Sequence, residues 1–376
     1  MTLLTIEVLT RRELRQFVSF PENLYRNSPY WVPALHSDEY DTLGPKNPAL
    51  EFCERALYLV LRDGEIVGRV AAIINHNANE RWKEEVVRFG WIDFINDLDV
   101  VRALIDAVAA WGKARGCVKI KGPLGFSDLD KEGLLVEGYD HLSPFTVIYN
   151  YPYYGDLLEQ VGFVKDADWT QKIVDIPVGE VPQMQFVPLV EQRFGLHAVT
   201  NMSMRQMGKK YGIELFHLIN TSFAELYEYS PLSDKQIEAY LKVYIPILNK
   251  DFVAVIVDAE DQVAGFAFCV PSLSQAFRKA KGRLFPFGFL HILKAIRKAD
   301  AIDAIDALMI GVLPQYQGKG ASLLIFKYLL DSCHKYGVTR MYANPQLETN
   351  HKVQSVFDGI LETHEFQRRR SYVKTL

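Results

Sequence analysis

The sequence has no disulfide framework and no zinc cluster. Its four cysteines, Cys53, Cys117, Cys269 and Cys333, lie far apart, without a CxxC pair or the His/Cys spacing of a metal site. They are expected as reduced core thiols, and no metal is expected. No run approaches the ~20 apolar residues that span a bilayer, and the first residues show no basic stretch leading into an apolar core. A cytoplasmic protein is expected, with room for peripheral contact at the inner face of a membrane. Charge of one sign is not in excess either. The 42 basic residues nearly balance the 46 acidic ones, for a net charge of -4, which argues against a polyanion wrapped over the surface. GxxxxGK[ST] is absent, as is the third glycine of a dinucleotide fingerprint, so nucleotide hydrolysis and hydride transfer lose support.

What is present is 376 residues, 49% of them hydrophobic, which is length for about two domains of roughly 100–200 residues each. Prolines and a glycine from Ile176 to Pro188 interrupt the periodic segments. The expected division is therefore residues 1–170, a crossover over 171–190, and residues 191–376. In the first half, Leu3–Leu9 alternates like a strand and Glu13–Leu24 has helical spacing. Leu57–Arg62, Asp63-Gly64 and Ile66–Ile74 predict a hairpin, because Asp-Gly accepts the positive φ of a tight turn. Phe89–Phe94 follows as a strand, then a helix capped by Asp97 or Asp99 up to Gly116, then strand Val118–Lys121. The second half repeats this order: strand Phe194–Thr200, helices Tyr211–Tyr229 and Asp234–Leu248, hairpin Phe252–Val257 with Val263–Val270, strand Ile305–Leu313, helix Ser322–Tyr336 and strand Thr339–Ala343.

Between strand Ile305–Leu313 and the helix that follows stands Pro314-Gln315-Tyr316-Gln317-Gly318-Lys319-Gly320-Ala321. Two glycines one residue apart at a strand-to-helix turn let several amides converge on one hollow, and the helix N-terminus favours an anion there. An ordinary glycine turn is the competing reading. With its apolar strand, its proline and its amphipathic helix, this segment resembles the acyl-CoA pyrophosphate loop of the GNAT (Gcn5-related N-acetyltransferase) superfamily. The likeness covers about 130 residues, Tyr211 to Phe357. It implies an α/β (α+β) fold of mixed, mostly antiparallel sheets flanked by helices. The pyrophosphate would lie on the amides of Gln317, Gly318, Lys319, Gly320 and Ala321, next to Gln315, and the pantetheine arm on Ile310, Gly311 and Val312. Asn344 and Asn350 would lie along the same donor, acetyl-CoA or a longer acyl-CoA.

The corresponding turn of the first half, Ile95-Asn96-Asp97-Leu98-Asp99, has no glycine and carries two carboxylates that would repel a pyrophosphate. The whole chain thus resembles a tandem, two-domain bacterial GNAT protein in which one copy keeps the donor. The other copy would shape a substrate cleft with Tyr149, Asn150, Tyr153 and Tyr154, unless these residues only pack. Many family members carry a tyrosine for the departing thiolate where this sequence has Phe357, in the segment from Asn350. Candidate bases for the attacking amine are Asp306, Glu228 and His217.

About 35 residues separate Val270 from Ile305, where the fold usually has a short hairpin. They hold Arg278, Lys279, Lys281, Arg283, Lys294, Arg297 and Lys298 around Leu284–Leu293. Cations flanking a phenylalanine-rich centre fit peripheral contact with an anionic membrane through 275–300, or else a lid or an inter-domain contact. No nucleic acid is expected. The reading is a transferase moving an acyl group from CoA to an amine acceptor, with a lipid amine of sphingoid type in view, since tandem bacterial GNAT proteins of this appearance include ones associated with sphingolipid N-acylation. Its rivals are a non-catalytic acyl-CoA-binding or membrane-docking protein, and an aminoacyl-tRNA-dependent peptidyl transferase of cell-wall synthesis.

Overall fold

A computed structural model describes residues 2–376 apart from 246–247, 298–301, 355–356 and 358–359. The first half runs β1 (Leu3–Glu7), α1 (Arg11–Leu24), α2 (His36–Leu43), β2 (Cys53–Arg62), β3 (Glu65–Asn75), α3 (His76–Trp82), β4 (Val86–Phe94), α4 (Leu98–Lys113), β5 (Lys119–Gly122), β6 (Leu134–Glu137), α5 (Tyr153–Gln160) and β7 (Val164–Asp175). The second runs α6 (Val187–Phe194), β8 (His197–Ala198), α7 (Met204–Ser222), α8 (Asp234–Tyr244), β9 (Val253–Val257), β10 (Val263–Pro271), α9 (Ser274–Ala280), α10 (Gly288–Arg297), β11 (Ala304–Val312), α11 (Ala321–Tyr336), β12 (Arg340–Ala343), β13 (Gln346–Leu347), α12 (His351–Gln354) and β14 (Thr363–Thr375).

Local chemistry explains the elements that the sequence predicted. Asp63 and Gly64 take φ 50° and 87° in the β2–β3 turn, as a two-residue hairpin requires. Asp97 caps α4, its carboxylate accepting from the amides of Asp99 and Val100. Gly337 ends α11 at φ 70°. Other boundaries move. The expected helix over Tyr211–Tyr229 is α7, Met204–Ser222, with Glu228 beyond its end at φ 58°. The strand expected over Phe194–Thr200 is only His197–Ala198, because α6 takes the residues before it.

Two long strands went unpredicted, β7 and β14, and they join the halves. All strands form one mixed sheet in the order β1-β2-β3-β4-β5-β14-β7-β12-β11-β10-β9-β8, with β6 on β14 and β13 on β7. The last strand of the chain pairs with β5 of the first half, Tyr372 against Gly122, while β7 pairs with β12 of the second half, Met341 against Val174. Each half is therefore completed by a strand from the other, and β7 runs straight through residue 170.

A buried ion cluster fastens the halves on one face. Both oxygens of Glu228 in the second half are taken by cations of the first: Arg88 Nη2 at 2.9 Å and Lys121 Nζ at 2.7 Å. Glu84 also holds Lys121, at 2.5 Å. Burial alone would lower the Lys121 ammonium pKa, but Glu228 and Glu84 outweigh it and raise it. Arg88 is 1% exposed, so removing its counter-charge strands a cation away from water. Glu228→Ala is expected to cost about 3–5 kcal/mol in denaturant unfolding; a variant as stable as wild type would show that this cluster does not hold the halves.

Candidate active site at the split of the second half

The second half opens where two neighbouring strands part. β11 and β12 pair in parallel from Ala304 with Arg340 to Ala307 with Ala343, and no further. At the same level the β10–β11 register slips past Leu308, between Phe268 with Met309 and Cys269 with Ala307. An extra residue bends its strand. Among the described residues, 308–312 thus keep β10 on one edge and have no strand on the other. Ile310, Gly311 and Val312, the expected pantetheine contacts, lie along this open edge, where the Gln317 side-chain Nε2 donates to the Val312 carbonyl at 3.2 Å.

The loop after β11 turns through Gly318 at φ 73° and Gly320 at φ 85°, values that a side chain strains. Its amides divide. Those of Gln317 and Lys319 donate to Pro314 and Tyr316 carbonyls within the turn. Among the described residues, none of the loop hydrogen bonds involves the amides of Gly318, Gly320 or Ala321. Gly320 is the N-cap of α11 and no side chain caps that end. Three free amides at an uncapped helix start fit a pyrophosphate, with Gln315 exposed beside them. Lys319 leans over the Tyr316 ring at 5.8 Å. Asn344, just past β12, accepts from Thr146 of the first half at 3.4 Å, and the Asn350 amide donates to Leu347 in a turn farther along. Among the described residues the buried Gln346 Oε1 has no hydrogen-bond partner.

The first half has the same split, already filled. β4 and β5 part after Arg88 and Lys121, but Leu124 donates to the Phe89 carbonyl at 2.9 Å. A Cβ on Gly90 would meet the Leu124 carbonyl oxygen at 2.4 Å. At the matching helix start the Asp97 carboxylate occupies the amides that a phosphate would need. One half therefore keeps a slot, and the other closes it with its own chain.

From the bulge of β11 a cavity of about 800 Å3 extends between the halves. Leu308 and Met309 stand at its start, and Leu215, Phe216, Leu241 and Phe268 along its apolar body. This is near the upper end of the range for small-molecule sites, about 300–1,000 Å3. Its polar end belongs to the first half. There Tyr25 donates to Asp93 at 2.7 Å and Arg69 Nε donates to the same carboxylate at 2.8 Å.

The expected site residues scatter. Asp306 lies on β11 two residues before the bulge and is 2% exposed, with neither oxygen in a hydrogen bond. Burial pushes its carboxyl up to about 7, against the pull of the nearby Ser272 hydroxyl and Leu273 amide. Its antiparallel partner Val270 lines the large cavity, whereas Asp306 itself lines a second pocket of about 330 Å3 with Ser272, Ser274, Lys279, Lys294 and Tyr342. Glu228 is instead committed to Arg88 and Lys121. His217 stands exposed on α7, 3.7 Å from Asp234, and lines neither cavity. Of the aromatic stretch, Tyr149 faces the large cavity. Asn150 ties β6 by accepting from the Leu135 amide and donating to its carbonyl. Tyr153 donates to the Phe94 carbonyl, and Tyr154 accepts from the Phe94 amide. Phe357 is core, 5.5 Å from the Phe326 ring. Ser355 and Val356 of its segment lie outside the described residues, as do Lys298 and Asp300 of the insertion.

Asp128 was missed. It faces the cavity beside Leu129, a residue of the same apolar cluster as Leu308, Met309 and Leu313. Burial raises its carboxyl, opposed by Arg88 and reinforced by Glu228 and Asp130. No local pattern marks it, since only the tertiary fold brings the first half to the bulge of the second.

Solved structures share the fold from end to end. A tandem GNAT protein from the clavulanic acid biosynthesis pathway superposes with a TM-score of 0.59 at 13% identity, covering 100% of this chain and 98% of that one. The chain has the tandem GNAT fold. A GCN5-related N-acetyltransferase from Sphaerobacter thermophilus superposes at 0.52 and 10% identity, covering 99% and 95%. In sequence, the chain is similar to Protein YghO of Escherichia coli (strain K12), 26% identical over 375 residues, or 98% of this chain and 94% of that protein. It is also similar to the protein named bacterial ceramide synthase of Caulobacter vibrioides, 26% identical over 382 residues, 99% of this chain and 97% of that one. No family model matches.

The tandem GNAT geometry makes the two loop glycines separable. A Cβ at Gly318 meets nothing within 4 Å, whereas one at Gly320 runs into Val190 at 2.6 Å. Gly318→Asp is therefore expected to fold, yet to lose CoA affinity by about tenfold or more in calorimetry, since a carboxylate there opposes the phosphates by more than about 1.4 kcal/mol. Unchanged affinity would remove the loop from the donor site.

Proposed function

We propose that this protein is an acyl-CoA-dependent N-acyltransferase whose acceptor is a lipid amine of sphingoid type. The observation that carries the reading is the apolar cavity that begins where β11 splits from β12, where a thioester laid along the open edge would end. A site for acetyl transfer alone has no use for apolar volume beyond the bulge. The similarity to a protein named bacterial ceramide synthase supports the same substrate class.

In this reading the amides of Gly318, Gly320 and Ala321 hold the pyrophosphate, and the free edge at residues 308–312 pairs with the pantetheine. The acyl chain passes Leu308 and Met309 into the cavity. CoA supplies the activated thioester. The amine attacks its carbonyl carbon and Asp306 accepts the proton, so a C–N bond forms while the C–S bond breaks and CoA leaves as the thiolate. A carboxyl held near 7 is suited to this work, because a base is most useful with a pKa near the working pH. Asp128 and Asp130 give the opposite wall of the cavity carboxyl groups placed to hydrogen-bond an amine headgroup. The acceptor would be taken from a membrane at the inner face rather than from solution.

Three measurements test the reading. Thiol release across donors from acetyl- to palmitoyl-CoA, with polar and lipid amines, is expected to rise about tenfold for each two methylenes until the cavity is filled, at about 0.8 kcal/mol per buried methylene. Equal rates across the series, or no release with any amine, would contradict it. Asp306→Asn is expected to lower kcat by about 10²–10⁴ with CoA affinity retained; a variant of normal rate would free Asp306 of the role. Since the base acts only when ionised, wild-type kcat/KM is expected to climb through about pH 7 and level off above it, and the Asn variant to lack that limb.

A further inference from the structure

The insertion between β10 and β11 has two unlike sides. Inward, Phe277, Leu284, Ile292 and Ile296 pack with Val32 and Leu35 of the first half and line the large cavity. Outward, Phe285 is 80% exposed, Phe287 70% and Leu290 50%. Residues 274–297 carry Arg278, Lys279, Lys281, Arg283, Lys294 and Arg297 and no carboxylate, a surplus of six positive charges on a chain whose net charge is -4. Lys279, Lys281 and Lys294 are exposed, Lys279 and Lys294 at the rim of the pocket that holds Asp306, and none of the ion pairs among the described residues involves them.

The segment is also held in place. The His36 amide donates to the Gly282 carbonyl at 2.8 Å. Gly282, at φ 69°, sits so close to the first half that a Cβ there would meet the Ala34 carbonyl oxygen at 2.6 Å. Arg283 pairs with Glu22 at 3.2 Å. Glu22, Ala34 and His36 all line the cavity, as does Leu284, whose chain neighbour is the exposed Phe285. The aromatic tip is thus fixed at one end of the cavity.

We propose that the α9–α10 segment docks on an anionic bilayer, so that the cavity opens at the membrane and an amphiphile enters along Leu284, Ile292 and Ile296 without crossing water. Phe285, Phe287 and Leu290 enter the boundary between headgroups and acyl chains, and the lysines meet anionic lipid. Among the described residues no helix is long and apolar enough to cross a membrane, so the contact is peripheral. A second copy of the chain is a poor occupant, because its own cations would face these. Docking rests on the lipid-amine reading only for the identity of what enters.

The test is co-sedimentation of the full chain with phosphatidylcholine vesicles, with and without phosphatidylglycerol. Binding is expected only with phosphatidylglycerol and is expected to weaken as salt rises. Lys281→Glu and the double variant Phe285→Ser/Phe287→Ser are each expected to lose about tenfold in partitioning, with melting temperature and CoA affinity unchanged. Wild type that ignores anionic vesicles would overturn the proposal. So would variants that still bind them, or a wild-type dimer in analytical ultracentrifugation that Phe285→Ser/Phe287→Ser abolishes. Vesicle binding without amine acylation would leave docking intact and overturn the acyl-transfer reading; acylation without vesicle binding would do the reverse.

Discussion

The candidate site depends on β11 leaving β12 beyond Ala307. While the two strands pair, every backbone group in the sheet has a partner and nothing can be laid between them. Once Leu308 bulges, no strand among the described residues pairs with that edge of β11, and an unpaired edge is a template for another extended chain. The first half shows the same break satisfied internally, by Leu124 on the Phe89 carbonyl. That contrast makes the opening a property of the second half rather than of both copies of the fold.

The cavity follows from how the halves are joined. Because β14 completes the first half and β7 the second, the halves cannot drift apart without breaking the central strands of the sheet. The Glu228 cluster locks one face, and the face toward α7, α8 and the insertion is left to enclose apolar space. Asp306 belongs to the second half and Asp128 to the first, so the carboxyls of the proposed reaction come from both. A single copy of the fold would hold the donor but lack the wall formed by residues 126–131 and 145–149.

The parts legible in the sequence were those fixed by near neighbours. Asp63-Gly64 specifies a tight turn, Asp97 caps the helix that follows it, and Gly318-x-Gly320 at a strand-to-helix turn specifies converging amides. The exchanged strands were not legible, because their identity lies in distant partners. β14 includes Arg368, Arg369 and Arg370 and looks in isolation like a solvated run. Arg369 is nonetheless fully buried, donating to Gln171 at 2.7 Å, and Arg370 makes two bonds to Asp168. Glu228 was misplaced for the same reason: its chain neighbours suggest a helix over a cleft, while its partners are 140 and 107 residues away in sequence.

The central claim is that an acyl chain enters the space between the halves from the split of β11. A palmitoyl-CoA analogue carrying a photoreactive diazirine at the end of its chain measures this directly. Irradiation of the complex is expected to label the segments that carry Met204 to Phe216 and Ala239 to Leu241, and excess palmitoyl-CoA should compete the label away. Labelling confined to exposed residues, or unchanged by the competitor, would contradict the account.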